Sequence, residues 1–207
     1  MKIVIAIDSL KNSLTSVEAG RAVEAGVRKA YGSQPVQIVV KPLADGGEGT
    51  VEALVEGMNG KLCHAVVKGP LGEPVSCSYG YLPDTATAVI EMAGAAGLGL
   101  VPEDRRNPLY TTTYGVGQVM AKAIEGGIRH FIIGLGGSAT SDCGVGMLQA
   151  LGYVFRDAEG HVVGTGGLAV GDIASVDDSQ VLPALKECTF DVACDVTNPL
   201  YGTLGAA

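Results

Sequence analysis

The chain has 207 residues, 47% of them hydrophobic, with a net charge of −8 and five cysteines that form no CxxC pair. This length suits one large α/β domain or two small ones, and without a Lys/Arg stripe we expect no nucleic-acid partner. No apolar run reaches the roughly 18–20 residues of a membrane span and no signal-peptide pattern precedes the first strand, so we predict a cytoplasmic protein with reduced thiols and no membrane partner.

The first third of the sequence predicts alternating strands and helices. An apolar run at residues 3–7 predicts a buried strand, and Thr15 with Glu18 forms a capping signal for the helix that follows. A second strand is predicted at residues 36–40, and a glycine-rich turn at residues 45–50 opens a second helix. Strand–helix–strand–helix order favours parallel strands joined by crossover helices.

The pattern changes near residue 62, where we expect a second domain to begin. Short turns separate three predicted strands, at residues 62–68, 76–81 and 86–91. Alternation then resumes with a helix at 115–125, a strand at 129–135, a helix at 143–151 and a strand at 190–194.

The stretch GLGGSATSDCGVG, residues 134–146, follows a predicted strand and has two interpretations. Its first six residues fit the GxGxxA dinucleotide fingerprint, with Asp157 at a suitable distance, which would indicate an NAD-dependent oxidoreductase. Alternatively it is a phosphate-binding loop without a Walker signature, in which hydroxyls and free amides bind phosphates and Asp142 lies at a metal.

Four acidic residues follow predicted strands: Asp8, Asp45, Asp142 and Asp195. Ligands of open α/β sheets bind at the carboxyl ends of the strands, so these carboxylates are candidates for holding Mg²⁺ or for acting as a base. The alternative for each one is a capping role in a loop or helix.

Two cationic positions are candidates for binding an anion. Lys11 follows the first strand among hydroxyl groups, which favours a cradle for a carboxylate or phosphate over a solvated loop. Arg106 suits a substrate carboxylate, and a solvated loop before a helix is an equal alternative there.

The segments together resemble the bacterial glycerate kinases of the glycerate kinase I, or glycerate 2-kinase, type. The matching stretches are MKIVIAIDSLKNSLTSVEA, PLADGGEGTVEAL, GPLGEPV, IEMAGAAGLGLVP, RRNPLYTTTYGVGQ, IIGLGGSATSDCGVGMLQALG and ACDVTNPLYG, in the family's order. The resemblance implies transfer of a phosphoryl group from ATP to a hydroxyl of D-glycerate, with Mg²⁺.

The resemblance also implies a two-domain α/β architecture with the site in the cleft between the domains. Residues 1–62 would form part of a Rossmann- or flavodoxin-like parallel-sheet domain, whose remainder would be C-terminal, and residues 63–207 part of a mixed α/β domain. We therefore expect a chain truncated to about half the family's length, which leaves a non-catalytic ligand-binding remnant as an alternative.

Carried over by position, the resemblance implies three groups of site residues. They are the catalytic Lys11, Asp45, Asp142 and Asp195, with Asp45 and Asp195 as metal ligands; the substrate-binding Asp8, Ser13, Arg106 and Asn198; and the nucleotide-binding Gly46, Gly47, Gly136, Gly137, Ser138 and Thr140, with Glu48 beside them. The chain departs from the family's pattern at Ile7, Gln118, Ser141 and Cys143, the last two making the loop around Asp142 bulkier.

Overall fold

A computed structural model describes residues 1–10, 13–194 and 196–205. In chain order its elements are β1 (Lys2–Ile7), α1 (Ser16–Tyr31), β2 (Gln37–Pro42), α2 (Thr50–Gly57), β3 (Lys61–Lys68), β4 (Pro74–Leu82), β5 (Thr87–Glu91), α3 (Met92–Ala96), α4 (Tyr114–Glu125), β6 (His130–Gly134), α5 (Val145–Ala150), β7 (Val154–Arg156), β8 (Ser175–Asp177) and β9 (Thr189–Ala193). The α/β fold class predicted from the sequence is confirmed.

The N-terminal strands β1 and β2 pair in parallel, with Lys2 opposite Gln37 and Ile7 opposite Pro42. The crossover between them is α1, which packs on both strands. Its start is the predicted capping box: the Glu18 amide donates to the Thr15 hydroxyl at 3.2 Å, and the Thr15 amide donates to the Glu18 carboxylate at 2.9 Å.

The larger sheet has the strand order β3-β4-β5-β6-β9. The β3–β4 and β4–β5 pairs are antiparallel, whereas β5–β6 and β6–β9 are parallel. The central strand β5 is buried along its whole length, including the polar Thr87 and Glu91 at its two ends.

Helices cover both faces of this sheet. On one face, the inward side chains of β5, such as Ile90, join the main core with α3 and α4. On the other face, Val51 of α2 packs with Leu82 and Val89. Since α2 also contacts β2, it connects the two sheets. The domain boundary predicted near residue 62 stays a prediction.

Three local features differ from the sequence-based expectations. The helix α3 was not predicted, because its five residues, MAGAA, carry neither a cap nor a full apolar period. The helix expected from residue 143 begins at Val145, since Cys143 (φ +52°) and Gly144 (φ +72°) have left-handed backbones. The β7–β8 hairpin was also not predicted, since each of its strands has only three residues.

No helix in the described part of the chain is both long and apolar enough to span a membrane.

Candidate active site

A cleft of about 480 Å³ lies where loops that follow β1, β2 and β6 come together. The described residues that line it are Ser9, Leu10, Ser13, Leu14, Thr15, Glu18, Asp45, Gly47, Glu48, Gly49, Gly136 and Gly137. These loops all leave the carboxyl ends of parallel strands, which is where open α/β sheets bind their ligands. The cleft is therefore the candidate active site.

Glycines let the two glycine-rich loops contact each other directly. The Gly136 amide donates to the Gly46 carbonyl at 3.0 Å. A Cβ atom on Gly136 would lie 2.6 Å from Gly47 Cα, and one on Gly134 would lie 2.5 Å from the Gly46 carbonyl oxygen. Gly46 itself has φ +91°, and a Cβ there would overlap the Ala193 carbonyl. Much of the glycine content thus serves close backbone packing.

The charged side chains among the described lining residues are all acidic. Asp45 accepts from the Gly47 amide at 2.9 Å, and Glu48 and Glu18 line the same space. Hydrogen bonds from Thr15 lower the pKa of Glu18. Asp8, next to the lining residue Ser9, accepts from the Ser9 amide at 2.6 Å. An anionic ligand would need a cation to bind among these carboxylates.

The described residues contain no cluster of three or more His, Cys, Asp or Glu side chains that could hold a metal by themselves. A Mg²⁺ ion in a phosphotransferase needs less, since one or two carboxylates and the substrate phosphates commonly hold it. The carboxylate of Asp45 at the cleft fits that requirement.

The structure places Asp142 away from the described lining of the cleft. Its side chain is buried and accepts from the Thr113 amide at 2.8 Å, the Thr113 hydroxyl at 2.9 Å and the Gly146 amide at 3.2 Å. Because Thr113 precedes α4 and Gly146 lies in α5, this carboxylate ties two helix starts together. Its contacts are those of a capping residue.

The second half of the 134–142 loop packs on α3 and the turn after it. The Leu98 amide donates to the Gly137 carbonyl at 2.9 Å, and the Ala139 amide donates to the Ala96 carbonyl at 2.8 Å. Ser138 is exposed and Thr140 half-buried, and neither is among the described lining residues. The cleft therefore receives Gly136 and Gly137 but not these two hydroxyls.

Two further predicted residues have partners outside the described lining. Arg106 donates from Nε to the Val101 carbonyl at 3.3 Å and lies 3.9 Å from the Glu103 carboxylate. Asn198 donates to the Leu204 carbonyl at 3.2 Å. Lys11 and Asp195 lie outside the described residues.

Glu91 is a candidate that the sequence analysis missed. It ends β5, is buried, and its carboxylate accepts from the Val51 amide at 2.6 Å. Burial raises the pKa of Glu91 to about 7. The rule that selected acids after predicted strands passed over it, because Glu91 is the last residue within the strand predicted at residues 86–91.

The dinucleotide interpretation of residues 134–139 finds no support among the described residues. In that fingerprint the glycine turn opens a helix directly, whereas α5 begins only at Val145. The Gly136 amide already donates to Gly46, and Asp157 accepts from the His161 amide at 2.8 Å within a hairpin turn.

The fold and the cleft together are those of an α/β protein with a ligand site at its strand ends. The sequence model of the glycerate kinase family matches residues 3–207. The chain belongs to the glycerate kinase family.

Several curated relatives resemble the chain over its whole length. It is 50% identical to the glycerate kinase of Bacillus subtilis (strain 168) and 50% identical to the glycerate 2-kinase of Escherichia coli (strain K12). The alignments cover 100% of this chain and 53% and 54% of those relatives, so the chain spans about half their length.

A solved structure gives the same result. The crystal structure from Salmonella typhimurium LT2 of a protein provisionally named glycerate kinase 2 superposes with a TM-score of 0.87 at 49% identity. The superposition covers 100% of this chain and 55% of that one.

Proposed function

We propose that this protein catalyses transfer of the γ-phosphoryl group of ATP to a hydroxyl group of D-glycerate, releasing ADP and a phosphoglycerate. The supporting observation is the contact between Gly46 and Gly136. It brings the acidic loop after β2 and the glycine loop after β6 to one cleft. Family membership supports this reaction class, and the cleft is the place we propose for it. The five free cysteines agree with a cytoplasmic location.

Phosphoryl transfer depends mainly on positioning the reactants and neutralising the charge of the phosphates. We assign the surface formed by Gly47, Gly136 and Gly137 to the nucleotide, since no side chain there blocks a close approach. The Gly47 and Gly136 amides already donate to Asp45 and Gly46, so cations would neutralise the phosphate charge. Gly46 helps to position these glycines, because its carbonyl accepts the hydrogen bond from the Gly136 amide. Asp45 would hold Mg²⁺, which when bound neutralises phosphate charge, or would orient the attacking hydroxyl group.

The remaining assignments rest on the family resemblance. Asp195 would act with Asp45, Lys11 and Arg106 would neutralise the phosphate and the carboxylate, and Asp8, Ser13 and Asn198 would bind glycerate. Ser138 and Thr140 would assist at the nucleotide. For Asp142 we propose a positioning role through α4 and α5, because its carboxylate is buried between the two helix starts.

The direct test is ADP release from Mg-ATP by the 207-residue chain, with and without D-glycerate. Asp45→Asn and Asp195→Asn should each lower glycerate-dependent turnover at least ~100-fold, the lower end of a general-base contribution. The matched control is Asp84→Asn, which changes an exposed carboxylate in the β4–β5 turn and should leave turnover unchanged.

Each outcome of this test bears on the proposal. Glycerate-dependent release supports it. A folded sample that releases no ADP refutes the proposal for this chain, and nucleotide or glycerate binding without turnover would make it a binding module. Binding of NADH in place of ATP would instead favour the oxidoreductase alternative.

A further inference from the structure

Glu91 supplies a helix cap from a distant part of the sequence. The first residue of α2 follows Gly49, which has φ +93° and gives the helix no side-chain cap. The Val51 amide in the first turn donates instead to Glu91 Oε1 at 2.6 Å, and Glu91 is only 7% exposed. The carboxylate thereby links the start of α2 to the end of β5.

Capping α2 with a buried carboxylate costs more free energy than capping it with an exposed side chain. An Asp, Asn or Ser at position 49 would cap the helix from its own exposed side chain, without burying a charge. Position 49 has glycine because its backbone is left-handed. Gly49 and its neighbour Glu48 both line the cleft, so the buried carboxylate lies directly behind the cleft wall.

The surroundings of Glu91 favour its neutral form. Burial is the main cause, and the like charges of Glu52, in the first turn of α2, and Glu48 act in the same direction. The amides of Val51 and Gly49 oppose them by hydrogen bonding to the charged form. Burial, together with the charge of Glu91, raises the pKa of the Cys77 thiol in β4 to about 11. Because the pKa of Glu91 rises to about 7, both protonation states are populated near neutral pH.

We propose that Glu91 is a positioning residue that holds the 45–49 loop in place behind the cleft, and that the charge on its carboxyl group sets how tightly the cleft binds an anion. The second half of this inference rests on the proposed nucleotide function. Neutral Glu91 removes one negative charge from behind the loop that faces the phosphates. Affinity for an anionic ligand therefore falls as Glu91 loses its proton.

The test uses the full chain and two readouts. The first is the pH titration of the Gly49 and Val51 amide resonances between pH 5.5 and 8.5, which needs no ligand. The second is the dissociation constant of Mg-ADP over the same pH range. Glu91→Gln keeps the side chain's shape and its acceptor oxygen but cannot ionise. Any pH dependence that comes from ionisation of Mg-ADP itself is the same for both proteins, so it cancels when their dissociation constants are compared.

In the unsubstituted protein both amides should titrate with a midpoint near pH 7, and in Glu91→Gln this transition should disappear. Glu52→Gln should lower the midpoint, since it removes a like charge. Glu56→Gln, its matched control one turn further along α2 and paired with Arg21 at 3.7 Å, should not change it. From pH 6 to pH 8, the unsubstituted protein should lose at least about fivefold more affinity than Glu91→Gln.

The inference is overturned if the two amides do not titrate near neutral pH, or if the same transition persists in Glu91→Gln. Equal pH dependence of Mg-ADP binding in the two proteins overturns the link to the ligand. If the folded protein binds no Mg-ADP at any pH, the nucleotide function fails, and the amide titration decides the role of Glu91 separately. Should Glu91→Gln not fold, the Glu52→Gln shift decides it.

Discussion

A single methyl group at position 136 should separate the two loops that form the cleft. In Gly136→Ala the new Cβ would lie 2.6 Å from Gly47 Cα and 3.1 Å from Gly47 N. Both are backbone atoms that cannot rotate away, so the loops must move apart. The hydrogen bond from the Gly136 amide to the Gly46 carbonyl, 3.0 Å long, is weakened by the same movement.

The expected loss of stability follows from these two effects. Overpacking of a close contact costs about 1–3 kcal/mol, and loss of a hydrogen bond about 0.5–1.5 kcal/mol, so we expect roughly 2–4 kcal/mol in total. For a chain of this size that lowers the Tm by roughly 5–15 °C, measured by thermal melting followed by circular dichroism. Affinity for Mg-ADP, measured by calorimetry, should fall as well.

The matched control for this substitution is Gly164→Ala. Gly164 is exposed, and a Cβ there would meet no atom within 4 Å. If Gly136→Ala melts at the same temperature as this control and binds Mg-ADP equally well, the direct loop–loop contact is wrong.

Three further predictions concern stability. Asp142→Ala should lower the free energy of unfolding by about 2–4 kcal/mol, because buried amide and hydroxyl donors lose their acceptor, and Asp142→Asn should lose less; urea denaturation measures both. Equal stability of the two variants would contradict the capping role. Within α1, Gly26→Ala should stabilise by about 0.5–1 kcal/mol in the same assay, since the position is open and helical. Gly20→Ala should destabilise instead, because its Cβ would lie 2.5 Å from a Val40 methyl group, and a gain there would refute the packing of α1 on β2. The pKa of Glu91 is raised from 4.5 in the unfolded chain to about 7 in the folded one, so the folded state holds the proton more tightly. That contribution to stability is fully present below pH 4.5 and is lost as the pH rises through 7, so the stability of Glu91→Gln relative to the unsubstituted protein should increase across this range.

Local patterns in the sequence predicted most of the regular structure. The apolar run of β1 and the Thr15 capping signal of α1 are encoded by neighbouring residues, so local composition and cap chemistry suffice to find them. The hairpin of β7 and β8 escaped prediction because its strands are too short to show a period.

The site was harder to predict because tertiary contacts decide it. An acid after a strand can face a ligand or turn inward, and spacing does not distinguish these cases. Asp142 turns inward because the starts of α4 and α5, about 30 residues apart in sequence, meet only in the folded chain. Likewise, Gly136 was expected to admit a ligand, but it and Gly134 lie against the backbone of Gly46 and Gly47.

The long-range origin of the cleft also has a consequence for folding. Its two glycine-rich walls are separated by the β3–β4 hairpin and by the β5–β6 crossover, so they can meet only after the larger sheet has formed. Contacts of such large sequence separation form late, because the entropy of closing the intervening chain must be offset first. In pulsed hydrogen exchange during refolding, we expect the Gly136 amide to gain protection after the amides of the β3–β4 hairpin. A ligand that binds the cleft would then stabilise only those chains in which both sheets have already assembled, so it would favour the last step of folding.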